Sequence, residues 1–353
     1  MGWANESARL TPPRMVGTIR AMSEWLLPVV EDWRNWATIF TDVDLWRPVI
    51  EHVWRRDDQL QGASGVAFPT RIDAGYPGTC AVFIVDKTAV IKFFPPMVAG
   101  DFDREVAVYR LIQGRVPNIP SLLSNGWHQD YIAWPYLAVS FLPGVAWRDV
   151  YQRLPPDQSP ALMAQLGRTV RALHEIPLPH SGTWPAVGAW ETLVSSRISQ
   201  AGAELRRSTV LPDLVIAQIE LELSRMHWYG EKICLLHSDL TEDHLLVAGS
   251  DGHWSITGLI DWADAEVGPP MYDWVALWFS ICHREPALFR AFLQGYGAAE
   301  EVYVSQLASM TFLHRYGANI IADTLAPEEQ RAMASLKELN HILFSGLVFA
   351  NQM

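Results

Sequence analysis

Between two apolar runs, the stretch LLHSDLTEDHLLV, Leu235 to Val247, holds His237, Asp239, Glu242, Asp243 and His244. A second stretch, GLIDWADAEVG, sets Asp261, Asp264 and Glu266 beside another strand-like run. Carboxylates so placed can orient a hydroxyl, accept its proton or hold a hard cation such as Mg2+. Earlier in the chain, Lys92 lies in the apolar TAVIKFF and Glu105 in the helical pattern DFDREVAVYRLIQG. Before them, DAGYPGTCAVFIV offers a turn containing Gly75, Gly78 and Thr79. Each feature alone has an ordinary structural explanation. Glycines shape turns, lysines reach for water, helix-borne glutamates are solvated, and aspartates cap turns or form ion pairs.

Together they have one economical chemical explanation. Phosphoryl transfer needs phosphates held by backbone N–H groups and a lysine, a cation that neutralises charge, and a carboxylate that orients the accepting hydroxyl. Lys92 would hold phosphates and Glu105 would fix its ammonium. Asp261 would take Mg2+, and Asp239 would accept the proton of an incoming alcohol. A rival reading makes His237, Asp239 and His244 the two histidines and one carboxylate of a non-haem iron site. The close spacing of the three and the helical character of the second half argue against the barrel such a site needs.

The elements that must position these residues change character along the chain. Residues from about 14 to 60 read as helical, with Asp44 as a cap and Leu45, Val49, Ile50 and Val53 on one face. GASG, Gly62 to Gly65, breaks that pattern. CAVFIVD and TAVIKFF, joined at Asp86-Lys87, form an expected hairpin. Beyond Gly144 the patterns are mostly helical, except where HLLVAGSDGHW and SITGLIDWADAEVG make a second hairpin around the acidic motifs. A strand-rich part followed by a helix-rich part indicates two lobes of α+β type. The expected division is a helical extension over 1–63, a nucleotide-binding lobe and hinge over 64–142, and a helical lobe over 143–353.

With 353 residues, 49% of them hydrophobic and 19% charged, the chain can bury a large core. A net charge of -12 argues against a nucleic-acid partner, which would require a basic face. Three scattered cysteines give neither a disulfide framework nor metal spacing, which fits a reducing compartment. The most apolar run, WVALWFSIC, is too short to span a bilayer, and the start lacks a signal-peptide pattern. The expectation is a cytoplasmic protein with a nucleotide and a small-molecule acceptor as partners, and no membrane.

The two acidic segments resemble the catalytic and metal segments of the aminoglycoside phosphotransferase and choline kinase-like superfamily. The family patterns are His-x-Asp-x-x-x-x-Asn and Ile-Asp-Trp/Phe, which His237, Asp239 and Asp261 match. TAVIKFF, WPYLAVSFLPGVAWRD and LGRTVRALHEIPLP are similar to stretches of hygromycin B phosphotransferase-type enzymes. The resemblance spans roughly Asp44 to Tyr296 and implies the bilobal protein-kinase-like fold. It implies transfer of the γ-phosphate of ATP or GTP, with Mg2+ or Mn2+, to a hydroxyl. The best-matching acceptor is an aminoglycoside-type antibiotic such as hygromycin B, which would make this a resistance enzyme. A metabolic amino alcohol or sugar is the alternative. The same carry-over makes Ala138 to Leu142 the hinge that binds adenine, with Val139, Ser140 and Phe141 at its centre, and makes Asp273 a support of the catalytic loop.

One departure stands out. His244 replaces the family asparagine, whose neutral oxygen meets a metal ion. An imidazole prefers softer metals than Mg2+. His244 could ligate metal and shift preference toward Mn2+, could only bond to Asp261 or phosphate, or could mark a nucleotide-binding pseudo-kinase. Glu242, Asp243, Asp264 and Glu266 are the candidates for meeting an acceptor, since family carboxylates in such places receive ammonium groups. Trp184, Trp190, Trp228 and Trp262 could stack on a ring or simply pack.

Overall fold

The computed structural model describes residues 25–179, 189–226, 228, 232–250, 252–298 and 304–347. Its first helices are α1 (Trp33–Ala37), α2 (Val43–Arg56) and α3 (Asp58–Ser64), and residues 25–32 before them are not helical. Asp42, rather than Asp44, caps α2: its side chain accepts from the N–H groups of Asp44 and Leu45. Asp42 is extended, as a cap must be, whereas Asp44 is already in the first turn. The buried face of α2 comprises Trp46, Val49, Ile50, Val53 and Trp54, so it is turned from the expected stripe, and Leu45 is only half-buried.

Strands β1 (Ile72–Ala74), β2 (Ala81–Val85), β3 (Ala89–Phe93), β4 (Leu122–Gln129) and β5 (Ala133–Ser140) form an antiparallel sheet in the order β1-β2-β3-β5-β4. The β2–β3 turn has both Asp86 and Lys87 at positive φ, the geometry that a twisted hairpin favours. Alternation along β3 sends Ile91 and Phe93 toward α2 and Trp46, into one core. Lys92 therefore points to the opposite face, which helix α4 (Ala99–Ile112) covers.

The helical lobe begins with β6 (Val145–Ala146), α5 (Trp147–Val150), α6 (Gln158–His174), α7 (Ala189–Ser208) and α8 (Asp213–Arg225). Strands β7 (Cys234–Leu236), β8 (Leu245–Ser250), β9 (His253–Leu259) and β10 (Glu266–Gly268) come next. Helices α9 (Met271–Ala276), α10 (Pro286–Tyr296), α11 (Val304–Leu313), α12 (Gly317–Thr324), α13 (Pro327–Ala332) and α14 (Leu336–Leu343) complete it. Strands β6, β8 and β9 make one small sheet, and β10 pairs antiparallel with β7. A second hydrophobic core fills this lobe and reaches α4. The architecture is α+β and bilobal, an antiparallel-sheet lobe over a helical one. All three cysteines are buried and unpaired, and no described helix is long and apolar enough to cross a membrane.

Helices α6 and α10 cross at Gly167 and Gly295. A Cβ on Gly295 would lie 2.0 Å from the Ala164 carbonyl oxygen, and one on Gly167 would lie 2.2 Å from that of Phe292. The obstruction is backbone, so the helices would have to part. Gly295→Ala is expected to cost about 1–3 kcal/mol in denaturant unfolding, despite alanine's better helix propensity. An unchanged unfolding midpoint would show that the crossing has slack.

Candidate active site

Lys92 reaches across the cleft between the lobes. Its Nζ lies 2.8 Å from Glu105 Oε2 on α4 and 2.9 Å from Asp261 Oδ1 of the helical lobe. Lys92 and Glu105 are nearly sealed from water, while the Asp261 side chain is 41% exposed and so faces the opening. Burial disfavours the lysine's charge, but Asp261 and Glu105 outweigh it and hold the ammonium well above the ordinary lysine value. Burial likewise opposes charge on Asp261, and Lys92 and His244 hold its carboxyl well below the usual range. Burial lifts Glu105 to about 6, with Lys92 pulling the other way.

The loop carrying Asp239 is suspended from a buried aspartate on α9. Asp273 accepts from the backbone N–H groups of His237 at 3.0 Å and Ser238 at 2.7 Å, and from His174 Nε2 at 2.9 Å. Ser238 and Asp261 both adopt left-handed backbone, each with φ of 65°. His237 is wholly buried; its Nε2 donates to the Ile260 carbonyl at 3.0 Å and its ring lies 4.5 Å from that of Trp262. That engagement joins the two acidic loops and removes His237 from the iron-site reading.

His244 sits between the two key carboxylates. Its Nδ1 is 3.5 Å from Asp239 Oδ2, and its Nε2 is 3.8 Å from Asp261 Oδ2. Nδ1 also lies 2.9 Å from the Asp239 carbonyl, which can only accept, so this nitrogen carries a proton and Nε2 is the one turned to Asp261. Burial opposes its charge, but Asp261 and Asp239 raise its pKa. Burial also raises Asp239, to about 6, with Asp264 and Asp261 adding and His244 and Arg315 opposing. At neutral pH the Asp239 carboxylate is ionised yet more basic than a solvated aspartate, a useful state for taking a proton.

Gly75 follows β1, and its N–H donates to the Val82 carbonyl at 2.7 Å. A Cβ there would meet Val82 at 2.7 Å, so the glycine secures a close strand approach. Gly78 has open space around it, and the Thr79 carbonyl accepts from Trp36 Nε1. The tip of this turn meets the other lobe: Tyr76 bonds Arg148, and that guanidinium pairs with Asp243 at 2.5 and 2.8 Å. At the hinge, Val139 is paired within the sheet. The Ser140 N–H donates to the Ser121 carbonyl and the Phe141 N–H to the Thr88 carbonyl. These two amides are engaged internally, which removes them as adenine donors.

The four carboxylates expected to meet an acceptor are mostly occupied. Asp264 is bonded by Arg315 and by the Tyr316 hydroxyl at 2.8 Å, and Glu266 pairs with Arg315 at 2.7 Å. Asp243 is taken by Arg148, while Glu242 lies 3.4 Å from His283 Nε2. Arg104 on α4 donates to the Ala263 carbonyl at 3.0 Å. Arg104, Arg148 and Arg315 lacked any signal in the sequence, because no motif marks an arginine that meets its partner only in the fold. Trp190, Trp228 and Trp262 are buried, and Trp190 and Trp228 bond backbone carbonyls, so they pack; Trp184 lies outside the described residues.

Among the described residues no group of three or more acidic, histidine or cysteine side chains forms a ready metal cage. Mg2+ binds through one or two carboxylates and completes its shell with phosphates and water. Asp261 Oδ2, with His244 Nε2 facing it, offers such a partial donor set.

The sequence pattern of the phosphotransferase enzyme family matches residues 70–305. Among solved structures, the GDP complex of aminoglycoside 2'-phosphotransferase-IIIa shares 19% identity with a TM-score of 0.57, over 82% of this chain and 96% of that one. The gentamicin complex of APH(2")-IIa shares 16% identity with a TM-score of 0.53, over 84% of this chain and 95% of that one. The ternary complex of that enzyme with streptomycin and ATP matches with a TM-score of 0.51 at 16% identity, over 73% of this chain and 90% of that one. At these identities the likeness concerns the fold.

Proposed function

The chain belongs to the phosphotransferase enzyme family, and from that premise we propose that it transfers the γ-phosphate of ATP or GTP to a hydroxyl of a small polar molecule at the Lys92–Asp261–Asp239 site. One observation carries this reading: the sheet lobe's lysine, locked by Glu105, meets the helical lobe's Asp261, and His244 links Asp261 to Asp239.

In this reading Lys92 binds phosphate oxygens, with Glu105 fixing its head group. Asp239 orients the acceptor hydroxyl and takes its proton as the new oxygen–phosphorus bond forms. The bond from the γ-phosphorus to the bridging oxygen breaks, and the nucleoside diphosphate leaves with that electron pair. Asp261 and His244 would hold Mg2+ or Mn2+, which when bound neutralises phosphate charge. The glycine turn covers the phosphates, tethered through Tyr76. Nothing in this step requires a covalent intermediate with the protein.

Aminoglycosides, hygromycin-type compounds included, and amino alcohols or sugars of metabolism are the acceptors to compare. The test is transfer of label from γ-labelled ATP or GTP to such a panel, with each metal. Absence of both transfer and metal-dependent hydrolysis would leave a nucleotide-binding module without catalysis. The role given to His244 has its own measurement. His244→Asn is expected to raise the ratio of Mg2+- to Mn2+-supported turnover by about tenfold, the scale on which groups around a metal act. An unchanged ratio would place the imidazole outside the metal shell.

A further inference from the structure

We propose that the acceptor side of the cleft is built to receive an uncharged, hydroxyl-bearing molecule, and that Arg315 enforces this by occupying the carboxylate pair that a polycation would need. The inference rests on the phosphotransfer reading above and narrows the acceptor within it.

The geometry places the pair at the reacting end. Pairing of β10 with β7 sets Glu266 opposite Leu236, at the start of the loop that carries Asp239. Asp264 follows Asp261 in the same short turn, closed by the Ala265 N–H on the Trp262 carbonyl. The charges of Asp264 and Arg315 are both felt at the Asp239 carboxyl. Asp264, Glu266 and Arg315 have side chains 30, 15 and 24% exposed, so they border the opening rather than the core.

The occupant is chemically well matched. A guanidinium presents several donors in a fixed fork, and Arg315 spends one nitrogen on Asp264 and another on Glu266. Tyr316 adds its hydroxyl to Asp264, and the Arg315 backbone N–H is itself held by the Tyr272 hydroxyl at 3.1 Å. Arg104 adds a second positive charge, on the Ala263 carbonyl and near Glu266. On α4, burial raises the Asp101 carboxyl, and the charges of Arg104 and Arg315 oppose that rise. On the other flank, Arg148 takes both oxygens of Asp243. Glu242 lies 3.4 Å from His283 Nε2; burial raises the Glu242 carboxyl, with Arg148 opposing, and lowers the His283 imidazole.

An acceptor ammonium entering this wall would meet a like charge and would have to displace a fork that holds two carboxylates. That is a repulsive element against polycations. A hydroxyl meets no such conflict, because it can donate to the carboxylates or accept from the arginines without displacing either.

The test is calorimetric titration of the ADP-loaded protein with kanamycin and with spermine, using wild type, Arg315→Met and Arg315→Lys. Wild type and Arg315→Lys are expected to bind these polycations with Kd above about 1 mM. Arg315→Met, which frees both carboxylates, is expected to bind them at least tenfold more tightly. Micromolar binding by wild type, or no gain in a folded Arg315→Met, overturns the proposal. Should Arg315→Met melt before the assay, Arg315→Gln replaces it, and the wild-type affinity decides on its own. Mg·ATP hydrolysis by the same preparation, without acceptor, is read in parallel. Its absence together with absence of transfer to any acceptor of the panel defeats the phosphotransfer reading, whereas tight polycation binding with hydrolysis or transfer intact defeats only this one.

Discussion

Asp239→Asn is expected to lower turnover by about 10²–10⁴-fold while nucleotide affinity stays within a few fold. The substitution keeps shape and removes the carboxylate that, in the proposed reaction, takes the acceptor's proton. Lys92, Glu105 and Asp261, which would hold the triphosphate and its cation, keep their mutual contacts at 2.8 and 2.9 Å. Steady-state transfer assays and calorimetric binding of ATP separate the two quantities. Full turnover in the variant would take Asp239 out of its role, and lost nucleotide binding would make it structural.

The second large effect concerns stability. Asp273 is completely buried and satisfies two backbone N–H groups and an imidazole at once. Asp273→Ala leaves those donors without a partner in a dry site, and the expected loss is about 3–5 kcal/mol. Because His237 and Ser238 lead directly into Asp239, activity should fall with it. The pH dependence has a definite sign. Burial opposes charge on Asp273, but its bonds from His174 and the loop lower its pKa below the ordinary aspartate value. Its contribution is therefore present above the unfolded value, about 3.9, and is lost as pH falls through the lower folded value. The difference in unfolding free energy between wild type and variant should hold above about pH 5 and shrink in stronger acid. A constant difference down to pH 2 would mean that folding does not lower the Asp273 pKa.

Much of this site was legible because its chemistry restricts residue type. A lysine in an apolar strand, a glutamate one helix later and two aspartates beside strands left few options, and the fold brings Lys92, Glu105 and Asp261 into contact. The small lobe was legible for a different reason, since alternation and the Asp86-Lys87 turn fix the β2–β3 register locally. What the sequence withheld depends on distance along the chain. Arg315 meets Asp264 and Glu266 from about fifty residues away, so those carboxylates looked available when they are occupied. His174 and Asp273 are 99 residues apart. The cap of α2 was displaced to Asp42 because a helix start is set by backbone dihedrals that two nearby aspartates do not distinguish in sequence.

The left-handed turns at Ser238 and Asp261 have a consequence for engineering. Side-chain-bearing residues adopt that conformation at a cost on the order of 1–2 kcal/mol, and serine lacks much of the tolerance that aspartate has. Thermostability screens run without a selection for turnover would drift toward glycine at position 238, where relief is cheapest. The hardier enzyme they returned would hold Asp239 on a looser tether, trading speed for endurance.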